Sequence, residues 1–292
     1  MSIFKNLFGG PQKNPEPTPD SAPASGSAAA QSGKPEISAH WEKAISETLS
    51  LDKPTAEIDC AGIDWNAEGQ QEFVSAVLPQ WRNEVFTAFD GAGIDPGNPP
   101  DEAPLFLDLA VLYTMIAARQ PTRLIEIGCG YSTKMIRQAF RKHNLPGELI
   151  AIDPEPTIDV TEFTDAFLQD YIQTMPLGDF QMLQANEVLH LDLTHQLIPG
   201  GDVEHVYQRI LPCLKKGVVV GIQGIPLPHP YTAEEQAKGF GEQAYLQLFL
   251  QKNSGVKVLW AGGWAKTALA EDLRAYCEAD SVESRSVWFE VL

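Results

Sequence analysis

The stretch Arg123–Thr133, RLIEIGCGYST, restricts what this chain can fold into more than any other. A short apolar run, Leu124–Ile127, stops at Gly128-Cys129-Gly130. A helical pattern then starts at Ser132, with Met135, Ile136, Ala139 and Phe140 recurring at the spacing of one buried face. Glycines at such a turn let the backbone adopt positive φ and approach a ligand closely, and the helix that follows offers free N–H groups to a polar or negative group. A second apolar run, Leu149–Ile152, ends in Asp153, 23 residues beyond Gly130. An acid at that strand tip is placed to accept hydrogen bonds from both hydroxyls of a ribose. Strand, glycine loop, helix, strand and acid together predict a site for a nucleoside-containing cofactor; the plainer reading is a tight strand–helix turn with no ligand.

The remaining chain supports an α/β fold. Leu105–Ala118 reads as a strongly apolar helix with Asp101 as its N-cap. Thr161–Ile172 and Asp202–Leu214 read as helices, as does Phe240–Gln251. Val188–Leu191, Val218–Ile222, Val256–Trp260 and Val287–Val291 read as strands. Strands alternating with helices predict a doubly wound, Rossmann-like sheet with helices on both faces. Upstream, residues 1–36 form a tail: Pro11–Pro35 is Pro, Ser, Ala, Gly and Gln with almost no large apolar side chain, which predicts a disordered segment. Met1–Gly10 is slightly apolar but lacks the features of a signal peptide. Residues 37–100 are expected to form a helical extension, with one short helix over Trp41–Leu51 and another carrying Phe73, Val74, Val77, Leu78 and Trp81. Residues 101–292 would then be the cofactor-binding domain.

The cofactor can be argued from charge. A dinucleotide loop has a third small residue in G-x-G-x-x-G, and this chain has Thr133 there. Glu126, at the end of the first strand, would face a diphosphate unfavourably but would suit a ligand bearing an ammonium and a sulfonium. That favours S-adenosylmethionine over NAD. The formal net charge of −18 disfavours nucleic acid and anionic membrane surfaces as partners. No apolar run approaches the roughly 20 residues of a membrane helix. The cysteines Cys60, Cys129, Cys213 and Cys277 form no C-x-x-C pair, which predicts reduced thiols in a cytoplasmic protein. No histidine and cysteine set has zinc-ligand spacing, so no metal site is expected.

From about Asp101 to the C-terminus these residues resemble the class I S-adenosylmethionine-dependent methyltransferases, in particular a bacterial subfamily with the loop E-[IV]-G-[SC]-G-Y-S-[ST]. The likeness includes IDPEP at Ile152–Pro156, VLHLDLTH, GGDVEHVYQRILPCLKKGVVV, GEQAYLQLFL and the closing SVWFEV. The resemblance implies a seven-stranded sheet with an antiparallel last strand. It implies that Glu126, Gly128, Gly130 and Ser132 line the methionine end of the cofactor, that Asp153 holds the ribose, and that Gln173 lies near the adenine. Asp192 and His195 match the family's I-D-S-S-H segment. The departure follows: where the family reads H-I-H-D-I, this chain has Gly221-Ile222-Gln223-Gly224-Ile225. His229, in the Pro-rich loop beyond, is a candidate substitute.

Methyl transfer to a hydroxyl needs alignment and a group that removes the proton. His195 is the candidate base, with Asp192 orienting it or binding a cation; both also read as ordinary loop or capping residues. His190 reads as a core side chain, and His205 as exposed. Glu242, Gln243 and Tyr245 match the family's N-E-Q-Y helix start and either line an acceptor pocket or complement a helix N-terminus. Trp260, Trp264 and Trp288 read as core or pocket-wall aromatics, and Cys129 as a small loop residue. The expected activity is methyl transfer from S-adenosylmethionine to a hydroxyl of a small molecule or saccharide, with homo-oligomerisation left open. The alternatives are a cofactor-binding protein without transferase activity and an NAD-dependent oxidoreductase.

Overall fold

A computed structural model describes residues 58–97, 99, 104–253, 255–277 and 282–292. The expected tail, the helix over Trp41–Leu51 and the cap at Asp101 lie outside the described residues. The chain enters as α1 (Ala67–Glu72), widens through a π-helical segment at Phe73–Val77 and continues as α2 (Leu78–Ala92), which stops at Gly93 in the left-handed conformation. Then follow α3 (Phe106–Arg119), β1 (Arg123–Ile127), α4 (Tyr131–Lys142), β2 (Glu148–Ile152), β3 (Ala166–Leu168), α5 (Leu177–Phe180) and β4 (Val188–Leu191). The second half runs α6 (Asp202–His205), β5 (Val219–Ile222), α7 (Ala233–Ala237), α8 (Glu242–Lys252), β6 (Val256–Ala261), α9 (Gly262–Ala268), α10 (Ala270–Cys277) and β7 (Val287–Val291).

The strands form one seven-stranded sheet in the order β3-β2-β1-β4-β5-β7-β6. β1 to β5 are mutually parallel, and β7 inserts antiparallel between β5 and β6. Strand order reverses on either side of β1 and β4, so the loops after these two strands diverge and leave a crevice, the position where open α/β sheets bind ligands. Both faces of the sheet are covered, which is why the central strands are apolar at nearly every position. Ile125, Ile127, Leu189, Leu191, Val220 and Ile222 point to one face with α8. Leu124, Val188, Val219, Trp260 and Trp288 point to the other, with α2, α3 and α4.

Helix α3 is sandwiched between the sheet and the outer helices, and every side chain from Leu107 to Ala117 is buried. The buried carboxylate of Asp108 accepts bonds from the Ser284 and Ser286 hydroxyls and from the Arg285 and Ser286 N–H groups, so it fixes the approach to β7. The extension shares this core: Phe73, Val74, Leu78, Val85, Ala88 and Phe89 pack in the same cluster as α3 and α4.

Three expectations need correction. Thr161–Ile172 is not a helix: a 3-10 turn at Thr161–Phe163 leads into β3, and a second follows at Ile172–Thr174. Here Asp165 accepts from the Leu149 N–H and pairs with Arg137, so tertiary contacts hold the edge segment extended. Asp202–Leu214 is α6, a π segment at Val206–Ile210 and a 3-10 turn at Leu211–Cys213. Pro212 has no N–H to continue an α ladder. Finally, α9 and α10 were not expected, although Ala265, Leu269, Leu273 and Tyr276 are buried at near-helical spacing.

Candidate functional site

At the carboxyl ends of β1, β2 and β4 lies a cleft of about 610 Å³. Its glycine loop is built by backbone demands. Gly128 has φ +79°, and a Cβ there would collide with the Asp192 carbonyl oxygen, so only glycine lets the β1 and β4 ends approach. The Asp192 N–H donates to the Ile127 carbonyl at 2.8 Å and closes the seam. The Cys129 N–H donates to Asp153 Oδ2 at 2.7 Å, and the Glu155 N–H to Asp153 Oδ1 at 2.7 Å. Asp153 therefore ties the loop to the end of β2 while remaining on the cleft wall. The Gly130 N–H donates to Thr133 Oγ1 at 3.0 Å, which fixes the start of α4.

Of the sequence-predicted residues, Gly128, Gly130, Ser132, Asp153, Gln173 and Asp192 line this cleft. Gln173 donates from Nε2 to the Gly200 carbonyl at 3.3 Å, and its Oε1 is buried without a partner. Glu155, Asp202, Tyr171, Thr194 and Ile198 also line the cleft and were not singled out from sequence. Asp202 fixes the loop after β4 by accepting from the Thr194 N–H and hydroxyl, both at 2.7 Å; its place just after Gly200-Gly201 at a helix start was the available signal.

Two predicted residues lie elsewhere. Glu126, expected at the methionine end, is fully buried in the sheet face below, with Oε1 3.3 Å from His190 Nδ1 and Oε2 unpartnered. Strand alternation explains this: Glu126 shares the face of Leu124, not that of Ile127. A lateral row runs from Glu126 through His190 and Gly221 to Trp288, with the His190 and Trp288 rings stacked at 5.8 Å. His195 stands behind Asp192. Its backbone, at φ +61°, turns the ring away so that Nδ1 meets Glu242 Oε2 at 2.7 Å and Nε2 lies 3.6 Å from Asp192 Oδ1. Glu242 is fully buried, and its Oε1 accepts from the Tyr207 hydroxyl at 3.0 Å.

Two of the three departures from the H-I-H-D pattern, Gly221 and Gly224, make room for rings. A Cβ on Gly221 would lie 2.6 Å from the Trp288 indole, and one on Gly224, at φ +76°, would strike the His195 imidazole. His229 bonds the Gly263 carbonyl at 3.1 Å and is absent from the cleft wall. Glu242, Gln243 and Tyr245 are buried, as are Trp260 and Trp288, whereas Trp264 is half-buried and stacks on Trp65 at 6.3 Å. His205, expected to be exposed, is half-buried, and burial lowers its pKa.

The electrostatics follow from this packing. Burial lowers the His195 pKa, but the Glu242 hydrogen bond and the charges of Glu242 and Asp192 outweigh it, so the net shift is upward. Desolvation raises the Asp192 pKa, opposed by His195 and His190. Desolvation, with Glu126, Asp153 and Asp192 close by, drives the Cys129 thiol far up, so it is no thiolate at neutral pH. Asp153, Glu155, Asp192 and Asp202 are on the cleft wall, and no Lys, Arg or His is among its lining residues. The cleft suits a cationic ligand and opposes a diphosphate. Among the described residues no group of three His, Cys, Asp or Glu side chains is arranged to hold a metal ion, and no helix is long and apolar enough to cross a membrane.

Residues 125–223 match the family model described as a methyltransferase domain. No curated protein matches the chain. Similar solved structures include a SAH-bound methyltransferase, PaMTH1, from Podospora anserina (13% identity, 92% of this chain and 99% of that one, TM-score 0.43). Another is the O-methyltransferase TomG from Streptomyces achromogenes, in complex with SAM (15%, 87% and 97%, TM-score 0.42). A third is a putative O-methyltransferase from Klebsiella pneumoniae (15%, 76% and 98%, TM-score 0.40). Residues 125–223, which run from within β1 to β5 and hold most of the cleft wall, are thus similar to a methyltransferase domain, and they sit in a seven-stranded Rossmann-like sheet with an antiparallel β7.

Proposed function

We propose that this protein transfers a methyl group from S-adenosylmethionine to a hydroxyl of a small-molecule or saccharide acceptor. The observation that carries the reading is the cleft at the β1 and β4 ends, whose lining is acidic and holds no basic side chain. The cofactor brings a sulfonium and an ammonium against one carboxylate, so its net charge is complementary to that wall, and NAD's is not. Gly128, Gly130 and Ser132 would border its methionine end, Asp153 its ribose and Gln173 its adenine, where the unpartnered Gln173 Oε1 suits an amino group. When bound, the cofactor supplies an electrophilic methyl group, and the protein's tasks are alignment and removal of the acceptor's proton.

For that proton the placement favours Asp192, which is on the cleft wall, over His195, which stands behind it. The acceptor O–H bond breaks toward the Asp192 carboxylate as the oxygen gains its methyl group. Calorimetry with S-adenosylmethionine, S-adenosylhomocysteine and NAD tests the reading: the first two are expected to bind, and binding of NAD alone would overturn it. A second reading, a cofactor-binding protein without transferase activity, is favoured by Gly221, Gln223 and Gly224 in place of the H-I-H-D groups. Release of S-adenosylhomocysteine with candidate acceptors, compared between wild type and Asp192→Asn, separates the two.

A further inference from the structure

Glu242 has a placement that neither cofactor binding nor helix capping requires. It opens α8, yet its side chain does not turn back on its own helix: one oxygen meets His195 Nδ1 at 2.7 Å and the other accepts from Tyr207 at 3.0 Å. The helix start is capped instead by the His195 carbonyl, which accepts from the Gly241 and Glu242 N–H groups. A fully buried carboxylate is costly without a positive partner, and His195 is the group that can supply one.

The groups facing His195 come from several elements. Asp192 follows β4, Glu242 opens α8, and Tyr231 and Phe240 come from the loop flanking α7. Arg285, just before β7, adds a more distant positive charge. His190 acts on Asp192 from within β4, and Tyr207 acts through Glu242. Two carboxylates thus bracket the imidazole. The ring cannot swing toward the cleft, because Gly224 packs against it and its Nδ1 is committed.

We propose that Glu242 is a positioning residue that holds His195 as an imidazolium, so that Asp192 meets the acceptor as an ionised carboxylate. This rests on the reading of the cleft as a methyl-transfer site. Its chemical sense is that desolvation raises the Asp192 pKa and so works against the charged form that accepts a proton. A positive ring 3.6 Å behind it favours the charged form, and Glu242 keeps that ring positive. His195 is then a fixed cation behind the base rather than the base itself.

The experiment is an NMR titration of the full chain with labelled histidine and aspartate, assigned with His195→Gln and Asp192→Asn. In wild type the His195 ring is expected to remain doubly protonated at pH 7.5. In Glu242→Gln its titration should fall by about one unit or more, and that of Asp192 should rise, while Glu242→Asp, which keeps the charge, should lie between. A neutral His195 tautomer in wild type at pH 7 would overturn the proposal, and so would an unmoved titration in Glu242→Gln. If Glu242→Gln does not fold, the wild-type spectrum and Glu242→Asp decide. Calorimetry with S-adenosylmethionine on the same wild-type sample keeps the two readings apart. Absent binding defeats the assigned activity, whereas the titration defeats or supports the role of Glu242.

Discussion

The lateral row Gly221, His190 and Trp288 makes a quantitative prediction about why a glycine stands in the middle of β5. In Gly221→Ala the new Cβ would sit 2.6 Å from Trp288 Cζ2 and 2.7 Å from Cε2 and Cη2, about 1 Å inside ordinary carbon contact. Trp288 is 1% exposed and stacked on His190, so the ring has nowhere to retreat. Gly221 is not at positive φ, which leaves overpacking as the whole cost, about 1–3 kcal/mol. Replacing glycine in a strand returns roughly 0.5–1 kcal/mol of chain entropy, so the net loss is up to about 2.5 kcal/mol, a fall in Tm of up to about 10 °C for a fold of this size. Urea and thermal unfolding of wild type, Gly221→Ala, Trp288→Phe and the double variant would measure it. Because phenylalanine lacks the indole's outer ring atoms, the double variant should be more stable than the sum of the single losses by about 1–2 kcal/mol. Losses that add within about 0.5 kcal/mol would refute the steric explanation of Gly221.

Further expectations follow from the same contacts. Asp153→Ala removes both the expected ribose acceptor and the tether to the Cys129 N–H; calorimetry should show about a tenfold or greater loss of S-adenosylmethionine affinity, equivalent to ~1.4 kcal/mol. Glu235 pairs bidentately with Arg285, and although burial opposes it, that pair and the Thr232 bonds pull its pKa to about 2. Its contribution to stability is therefore fully present above the ordinary glutamate range and is lost as pH falls from there through about 2. Arg285→Gln should show a shallower loss over that window in unfolding titrations. Methyl transfer should survive added chelator, because Gly221, Gln223 and Gly224 replace the groups that could ligate a metal; a large loss of S-adenosylhomocysteine release on chelation would contradict this.

Much of the fold was legible because local pattern and tertiary role coincide. The β1 run, the glycines and the first turn of α4 say the same thing at every level, and spacing alone points to Asp153, which stands on the cleft wall. Other positions were hidden by long-range contacts. β3 is too short for a period, and only the pairing of Asp165 with Leu149 and Arg137 shows it to be extended. Glu126 was misplaced because its chemistry drew attention before its parity: alternation along Arg123–Ile127 already sets it on the face opposite Ile127. Asp192 and His195 come within 3.6 Å of each other, but the left-handed backbone of His195, which sends its ring toward Glu242, is invisible in composition. The same holds for Gly221 and Gly224, which read as lost chemistry until Trp288 and His195 are seen to occupy their space.

The measurement that reaches deepest is isothermal calorimetry of the wild-type protein with S-adenosylmethionine, repeated with Asp153→Ala and in the presence of NAD. An acidic cleft bounded by Gly128 and Asp153 predicts one saturable site that binds the sulfonium nucleoside, weakens in the variant and ignores the dinucleotide. Saturable binding of NAD with none of S-adenosylmethionine would contradict it.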